Sequence, residues 1–291
     1  MASRRRISKA QIQSKVRQAQ SKLRQAAQKV DRELRKAQRD FNTAVNNYNR
    51  EARAHNARVR ANQRKLKQEL SRLASRPVTT RYTTLRASVQ TVHQAYVHYE
   101  ADVGADSPVH AEFLDLAERE SANSAAVLNA LLDEEQEPQD FDGLQQTGIT
   151  DELRSISTDF EARWKGALFS LNPQNPDAAR HFCTSTREIY AEMLELKAPD
   201  SDVLAATPGC PKTHEGRPTR RAKIHHVLAK KGLDVTSLED FVEQDIENIV
   251  ELFKVFNPAT HGPAGRYDLH RLRAIKTRAE DGLLFLARVV S

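Results

Sequence analysis

The segment "ELFKVFNPATHGPAGRYDLHRL", residues 251–272, ends one helix and starts another, with Asn257, Thr260 and His261 at the corner between them. Turning the chain there needs only Pro258, Gly262 and Pro263. The imidazole is extra. Histidine titrates near neutral pH, so His261 is suited to take a proton from a reacting hydroxyl. A Lys or Arg one to two helical turns away would hold the charge that develops on a phosphate. The same His also suits a structural role, capping the preceding helix and fixing the corner.

Two other chemistries have residues of the right type. Glu195-Leu196-Lys197 has the Glu-x-Lys form of metal-dependent nucleases, but it closes a helical stretch before Ala198-Pro199. That motif normally lies on a strand, with an acid on a neighbouring strand. Cys210-x(3)-His214, with Cys183, His225 or His226, offers donors that zinc accepts, yet no two-ligand pair repeats with finger spacing. There is no phosphate loop and no dinucleotide fingerprint. Neither a metal nor a cofactor is expected. His93, His98 and His110 read as surface or packing residues.

These groups need a scaffold, and 291 residues allow one large or two modest domains. Charged residues make up 29% and aromatics 6%, while 39% apolar residues suffice for a core. The longest apolar runs, such as "DGLLFLARVV", fall short of the roughly 20 residues of a membrane span. The N-terminus "MASRRRISKAQIQSK" has no apolar signal core. Two cysteines make no disulfide framework, which points to a reducing, cytoplasmic setting. The net charge of +6 conceals three unlike segments. Residues 1–76 hold 22 Lys/Arg and 5 Asp/Glu, residues 77–176 hold 6 and 17, and residues 177–291 hold 17 of each. The expected division is a long basic helix over 1–76, an acidic helical segment and linker over 77–149, and a helical domain over 150–291.

Residues 8–75 contain no Gly and no Pro and are dominated by good helix formers. Apolar or small residues recur from Ile12 through Val16, Leu23, Val30, Leu34, Phe41 and Tyr48 to Leu73, in steps of four and three. Paired steps of four break this seam at 18-residue intervals, so the stripe follows a nearly straight helix about 100 Å long. Such a helix needs a partner helix from its own chain or another. Its basic face, opening with Arg4, Arg5 and Arg6, suits the phosphates of a nucleic acid, contacted without reading sequence. It equally suits an acidic protein surface, the middle segment of this chain included, and less well a membrane surface.

The rest reads as helices separated by Pro and Gly. "TTLRASVQTVHQAYVHYEADV" turns Leu85, Val89, Val92, Tyr96 and Tyr99 inward, and Ser107 and Pro108 signal the start of the next helix. From Thr150 on, "TDELRSISTDFEARWKGALFSL" reads as one helix, and a helix that starts at Pro176 and Asp177 carries Phe182, Ile189, Met193, Leu194 and Leu196. "TRRAKIHHVLAKKG" is a short basic helix ended by Gly232, and Ser237 caps the helix that leads to the corner. No convincing alternating strand exists. The fold class is all-α, with a C-terminal bundle of about five helices.

Three segments, "RWKGALFSLNPQNPDAARHFCTSTREIYAEML", "TRRAKI" and "ENIVELFKVFNPATHGPAGRYDLHRLRAIKTRAEDGLLFLARV", resemble the predicted pPIWI-associating nucleases, bacterial proteins linked by name to Argonaute-type defence. The C-terminal layout is also similar to the HEPN superfamily of helical ribonucleases and nucleic-acid-binding domains. The resemblance implies metal-independent RNA cleavage, with His261 in the His position of an Arg-x(4–6)-His motif, and two such motifs assembled across a dimer. The chain departs from that pattern, since Phe256 stands five residues before His261 and only Lys254, seven before, offers a cation. Asn257 could hold the His or the substrate. Arg220 with His225, or Arg221 with His226, also fits Arg-x(4)-His within "RRAKIHH", or forms with Lys223 a basic face that binds phosphate or pairs with "EDFVEQD". Arg180 and Arg187 lie seven apart on one helix face, free to line the same site or to pair with local acids. The expectation is a defence-associated ribonuclease. The rivals are a non-catalytic module that binds nucleic acid or dimerises, and a metal-dependent DNA nuclease. Expected partners are RNA, a second copy joined through the helical domain or the long helix, and a defence-system protein, with no membrane.

Overall fold

The computed structural model describes residues 8–77, 79–103, 110–133, 143–172, 174–233, 235–256 and 269–291. Among them are ten α-helices and no strand, only an isolated bridge between Lys212 and Pro218. The all-α expectation holds. The helices are α1 (Lys9–Ser75), α2 (Thr83–Val103), α3 (Ala111–Leu131), α4 (Thr150–Ile156), α5 (Thr158–Ser170), α6 (Ala178–Lys197), α7 (Asp200–Ala206), α8 (Arg220–Lys230), α9 (Thr236–Phe256) and α10 (Leu269–Val290). No described helix is long and apolar enough to cross a membrane. The chain divides into two compact units, Met1–Arg60 and Ala61–Ser291.

Helix α1 runs unbroken for 67 residues, as the lack of Gly and Pro predicts. In the first unit its apolar stripe is exposed, from Ile12 at 53% to Leu23 at 73% and Tyr48 at 71%. In the second unit Leu66 and Leu73 are buried. There the basic helix meets the acidic segment. Asn62 donates to Asp115 Oδ1 at 2.8 Å, Lys65 donates to Asn123 Oδ1 at 2.7 Å, and Arg76 donates to Asp133 Oδ1 at 3.2 Å.

The five residues expected inward on α2 are its buried residues, packed chiefly on α9 and α3. Ser107 and Pro108 lie outside the described residues, which resume at His110 before α3. The stretch from Thr150 forms two helices, not one. Ser157 is extended, at φ −160° and ψ 135°, and its hydroxyl accepts from the Asp159 amide at 3.2 Å. A capping residue inside a periodic stretch thus ends α4 and starts α5. Helix α7 is also additional, a two-turn helix after Pro199 that buries Val203. The described residues from 150 on therefore form seven helices rather than about five. Ser237 does not cap α9. That helix begins at Thr236, and the Ser237 hydroxyl donates to Asp102 Oδ2 at 2.7 Å, tying α9 to α2. Leu196 is exposed at the end of α6. Gly232 ends α8 as expected, with φ at 68° in the left-handed region.

The helices of the second unit converge on a buried charge. Arg278 of α10 is 1% exposed and donates to Glu120 Oε2 of α3 at 2.6 Å, to Ser124 Oγ at 3.0 Å and to Asp245 of α9. Burial pushes the Glu120 and Asp245 carboxyls up, and the guanidinium pulls them back down. One turn on, Gly282 permits close approach, since a Cβ there would collide with the Tyr190 hydroxyl and the Ile249 side chain. Tyr190 Oη donates to the Ala279 carbonyl at 3.1 Å, so α10 is seated on α6 as well.

Replacing Arg278 by Leu leaves two buried carboxylates without their cation. We expect a loss of about 3–5 kcal/mol, read as a lower urea midpoint at pH 7. Glu118 of α3 gives a pH-dependent expectation. Burial, then Glu100 and Asp115, raise its carboxyl to about 7. The folded form thus holds the proton more tightly than the unfolded chain, and its contribution to stability is lost as pH rises from the ordinary carboxylate range through 7. Glu118→Gln should therefore stabilise the protein relative to wild type at pH 8 and shrink to little difference at pH 5, measured by urea midpoints.

Candidate functional site

Helices α6 and α9 leave a groove between two matched stripes. Arg187, Tyr190, Ala191 and Leu194 recur at helical spacing on α6, as do Ile246, Ile249, Val250 and Phe253 on α9. They line a cavity of about 280 Å³, which Arg220 of α8 joins at its edge. A smaller cavity of about 130 Å³ continues beside it, lined by Cys183, Arg187, Phe253 and Lys254 among others. Apolar residues form most of the wall, and the cations stand around it.

The three cations differ in what holds them. Arg187 is exposed, with no hydrogen-bond or ion-pair partner among the described residues. Arg220 Nη1 donates to Glu247 Oε2 at 3.1 Å. Lys254 pairs with Glu251, whose hydrogen bond raises the ammonium pKa, and lies 3.8 Å from Glu247 Oε1. Glu247 thus links Arg220 and Lys254 across a surface where all three side chains are partly exposed. An anion of greater charge density could exchange with these carboxylates. The structure therefore brings together Arg187, Arg220 and Lys254 of the sequence-predicted residues. Asn257, His261, Arg4, Arg5 and Arg6 lie outside the described residues.

The other candidates are engaged elsewhere. Arg180 pairs with Asp177 at 3.3 Å in the first turn of α6. Arg221 pairs with Asp240 at 2.5 Å and Glu243 at 3.1 Å, within the "EDFVEQD" stretch. Lys223 is 4% exposed and its Nζ lies 2.5 Å from Glu195 and 2.6 Å from Asp200. Arg217 bonds the same two acids, at 3.2 Å and 2.6 Å. The Glu195 of the Glu-x-Lys element is thus an ion-pair acceptor on a helix. His225 Nδ1 lies 2.6 Å from Glu239 Oε1, eight residues from the Glu247 that holds Arg220. Eight helical residues rise about 12 Å, so Arg220 and His225 face separate sites. His226 is buried, and burial lowers its pKa. Cys183 and Cys210 are buried free thiols, and burial raises the Cys183 pKa. Among the described residues no group of three or more His, Cys, Asp or Glu is placed to hold a metal ion.

Another cavity, polar and of about 330 Å³, lies between α1, α3 and α10. Its lining includes Lys65, His270, Arg273, Thr277, Arg278 and Asp281. His270 Nε2 lies 2.9 Å from the Ala130 carbonyl, which can only accept, so Nε2 carries a proton and Nδ1 of the neutral ring is an acceptor. Burial raises the Asp281 carboxyl, offset by Arg278 and Lys65. His270 and Asp281 were not singled out in the sequence. The signal was present as a polar stripe at His270, Arg273, Thr277 and Asp281, three or four residues apart on a helix otherwise read for its apolar face.

No curated protein and no solved structure matches the chain. A match exists for the helices that build the α6/α9 groove, and it agrees with the resemblance carried by the three quoted segments. Residues 153–286, from within α4 to within α10, match the family model described as predicted pPIWI-associating nuclease.

Proposed function

We propose that residues 150–291 act as a HEPN-like nuclease domain that cleaves RNA without a metal ion, in the cytoplasm of a bacterium and as part of its defence. His261 takes the 2′-hydroxyl proton and Asn257 orients it. Lys254, Arg187 and Arg220 hold the phosphate. What supports this most is the groove, where cations from α6, α8 and α9 stand together and Arg187 is unpaired among the described residues. Lys254 precedes Asn257 by three residues and His261 by seven, so groove and corner are joined by the chain itself. The basic helix adds phosphate contacts that ignore sequence, with Arg4, Arg5 and Arg6 at its start. Arg180, Arg221 and Lys223 seat α6 and α8. Self-association and a defence-system partner protein belong to the same proposal.

The α10 cavity favours a second base. His270 lines it beside Lys65 and Arg273 and presents an acceptor nitrogen.

The test incubates the full chain with labelled single-stranded RNA in EDTA, beside His261→Ala and His270→Ala. The expected result is cleavage that His261→Ala slows by about 10²–10⁴-fold, with RNA affinity unchanged. Loss in His270→Ala alone moves the chemistry to the α10 cavity. Cleavage that requires magnesium overturns the metal-free mechanism and directs attention to Glu195 and Lys197. No cleavage with either addition favours the binding module. In the same assay Arg187→Ala should weaken RNA binding and reduce the slope of log affinity against log salt by about 0.7, the value for one phosphate contact on a single strand.

A further inference from the structure

Within the first unit, α1 carries an apolar stripe whose large members, Ile12, Val16, Leu23, Val30, Leu34, Phe41 and Tyr48, are 49–73% exposed. Small residues alternate with them. Ala19 and Ala26 separate Val16, Leu23 and Val30, while Ala37 and Ala44 separate Leu34, Phe41 and Tyr48. A continuous helix with such a stripe needs a surface of matching shape. We propose that this surface is the same stripe on a second copy of the chain, running antiparallel, with the two-fold axis at Val30.

The shape decides the direction. Two parallel helices in register would set Leu23 against Leu23 and Ala26 against Ala26, so overfilled and underfilled layers would alternate along the seam. Antiparallel helices can be registered so that facing residue numbers sum to 60. Val30 then meets itself, Ala26 meets the partner's Leu34, and Leu23 meets the partner's Ala37. Ala19 meets the partner's Phe41, Val16 meets the partner's Ala44, and Ile12 meets the partner's Tyr48. Most layers then set one large side chain against one small one, which lets the helices approach evenly. The break in the seam at Val30 and Leu34, where two steps of four follow each other, falls beside the two-fold axis.

Charge selects the same register. Residues 9–60 hold 14 Lys/Arg and only 4 Asp/Glu, so an arbitrary pairing would set like charges together. Lys22, Lys29, Glu33 and Asp40 share one flank of the stripe. The antiparallel register places Lys29 beside the partner's Glu33 and Lys22 beside the partner's Asp40, each pair occurring twice. Within one chain Lys29 and Glu33 are only 4.0 Å apart and mostly exposed, so each can turn to the partner. The other flank, with Gln13, Gln20, Ala27 and Gln38, opposes no like charges. Arg17, Arg24, Arg35 and Arg39 remain on the outer faces. This pairing is independent of any nuclease activity.

The test uses single cysteines in the full chain under mild oxidation. Val30→Cys should form a disulfide-linked dimer that wild type, whose Cys183 and Cys210 are buried, does not form. Phe41→Cys should not, since residues 41 of the two chains would be about 33 Å apart at 1.5 Å per residue. The double variant Ala19→Cys, Phe41→Cys should cross-link again. Sedimentation of wild type should give twice the 32.9 kDa chain mass. Leu23→Asp with Leu34→Asp should shift it toward the monomer, with the urea midpoint of the second unit unchanged. Equal cross-linking at Val30→Cys and Phe41→Cys would overturn the antiparallel register. A monomeric wild type, or a dimer indifferent to the two Asp substitutions, would overturn the pairing itself.

Discussion

Three helices of the second unit, α3, α9 and α10, meet at one buried guanidinium. Arg278 lies on α10, and the carboxylates that make its burial tolerable come from α3 and α9. A charge this deep costs several kcal/mol to desolvate and is tolerated only where its partners are placed beforehand. The positions of α3 and α9 are therefore fixed by an electrostatic demand as well as by apolar contact. Helix α2 then fills the space against α9 and α3, and α6 closes on α10 through Tyr190. The groove between α6 and α9 inherits its shape from that arrangement. A mispacked α10 would displace both of its walls.

Charge is distributed on the same principle of use. Asn62 and Lys65 in the last turns of α1 bond α3, and Arg76 just beyond α1 pairs with Asp133 just beyond α3, so part of the charge contrast along the sequence is satisfied within one unit. Earlier in α1 few acids stand near the cations, and the charge remains outward. On α8, three charged positions close together do three different things. Arg220 reaches the groove, Arg221 fastens to α9, and Lys223 is buried between Glu195 and Asp200. Cations crowded together in sequence are thus split between the edge of the groove and ion pairs that join helices.

How much of this was legible in the sequence depended on whether one chain segment contained the signal. The length of α1 was readable because the absence of Gly and Pro is a local fact. The five inward residues of α2 were readable because 3.6-residue spacing is local too. Ser157 was harder. It is an ordinary capping residue, but the apolar spacing runs through it, and only the extended backbone reveals the break. Ser237 looked like a cap and instead bonds Asp102, 135 residues away. The burial of Lys223 and Arg278 was hidden for the same reason. A buried cation is indistinguishable from a surface one until its distant carboxylates are known. The groove cations Arg187, Arg220 and Lys254 were named from the sequence, yet their convergence depends on how α6, α8 and α9 pack. His270 was passed over because a helix scanned for its apolar stripe hides a polar one on another face.

Gly282 ties the formation of α10 to its packing. A glycine inside a helix weakens it by about 1 kcal/mol relative to alanine, so α10 on its own is less persistent than its length suggests. At that point Tyr190 and Ile249 pack so close to α10 that a Cβ would not fit. The helix therefore gains its continuity from the seat it occupies. Winding and docking of α10 are thus coupled, each supporting the other.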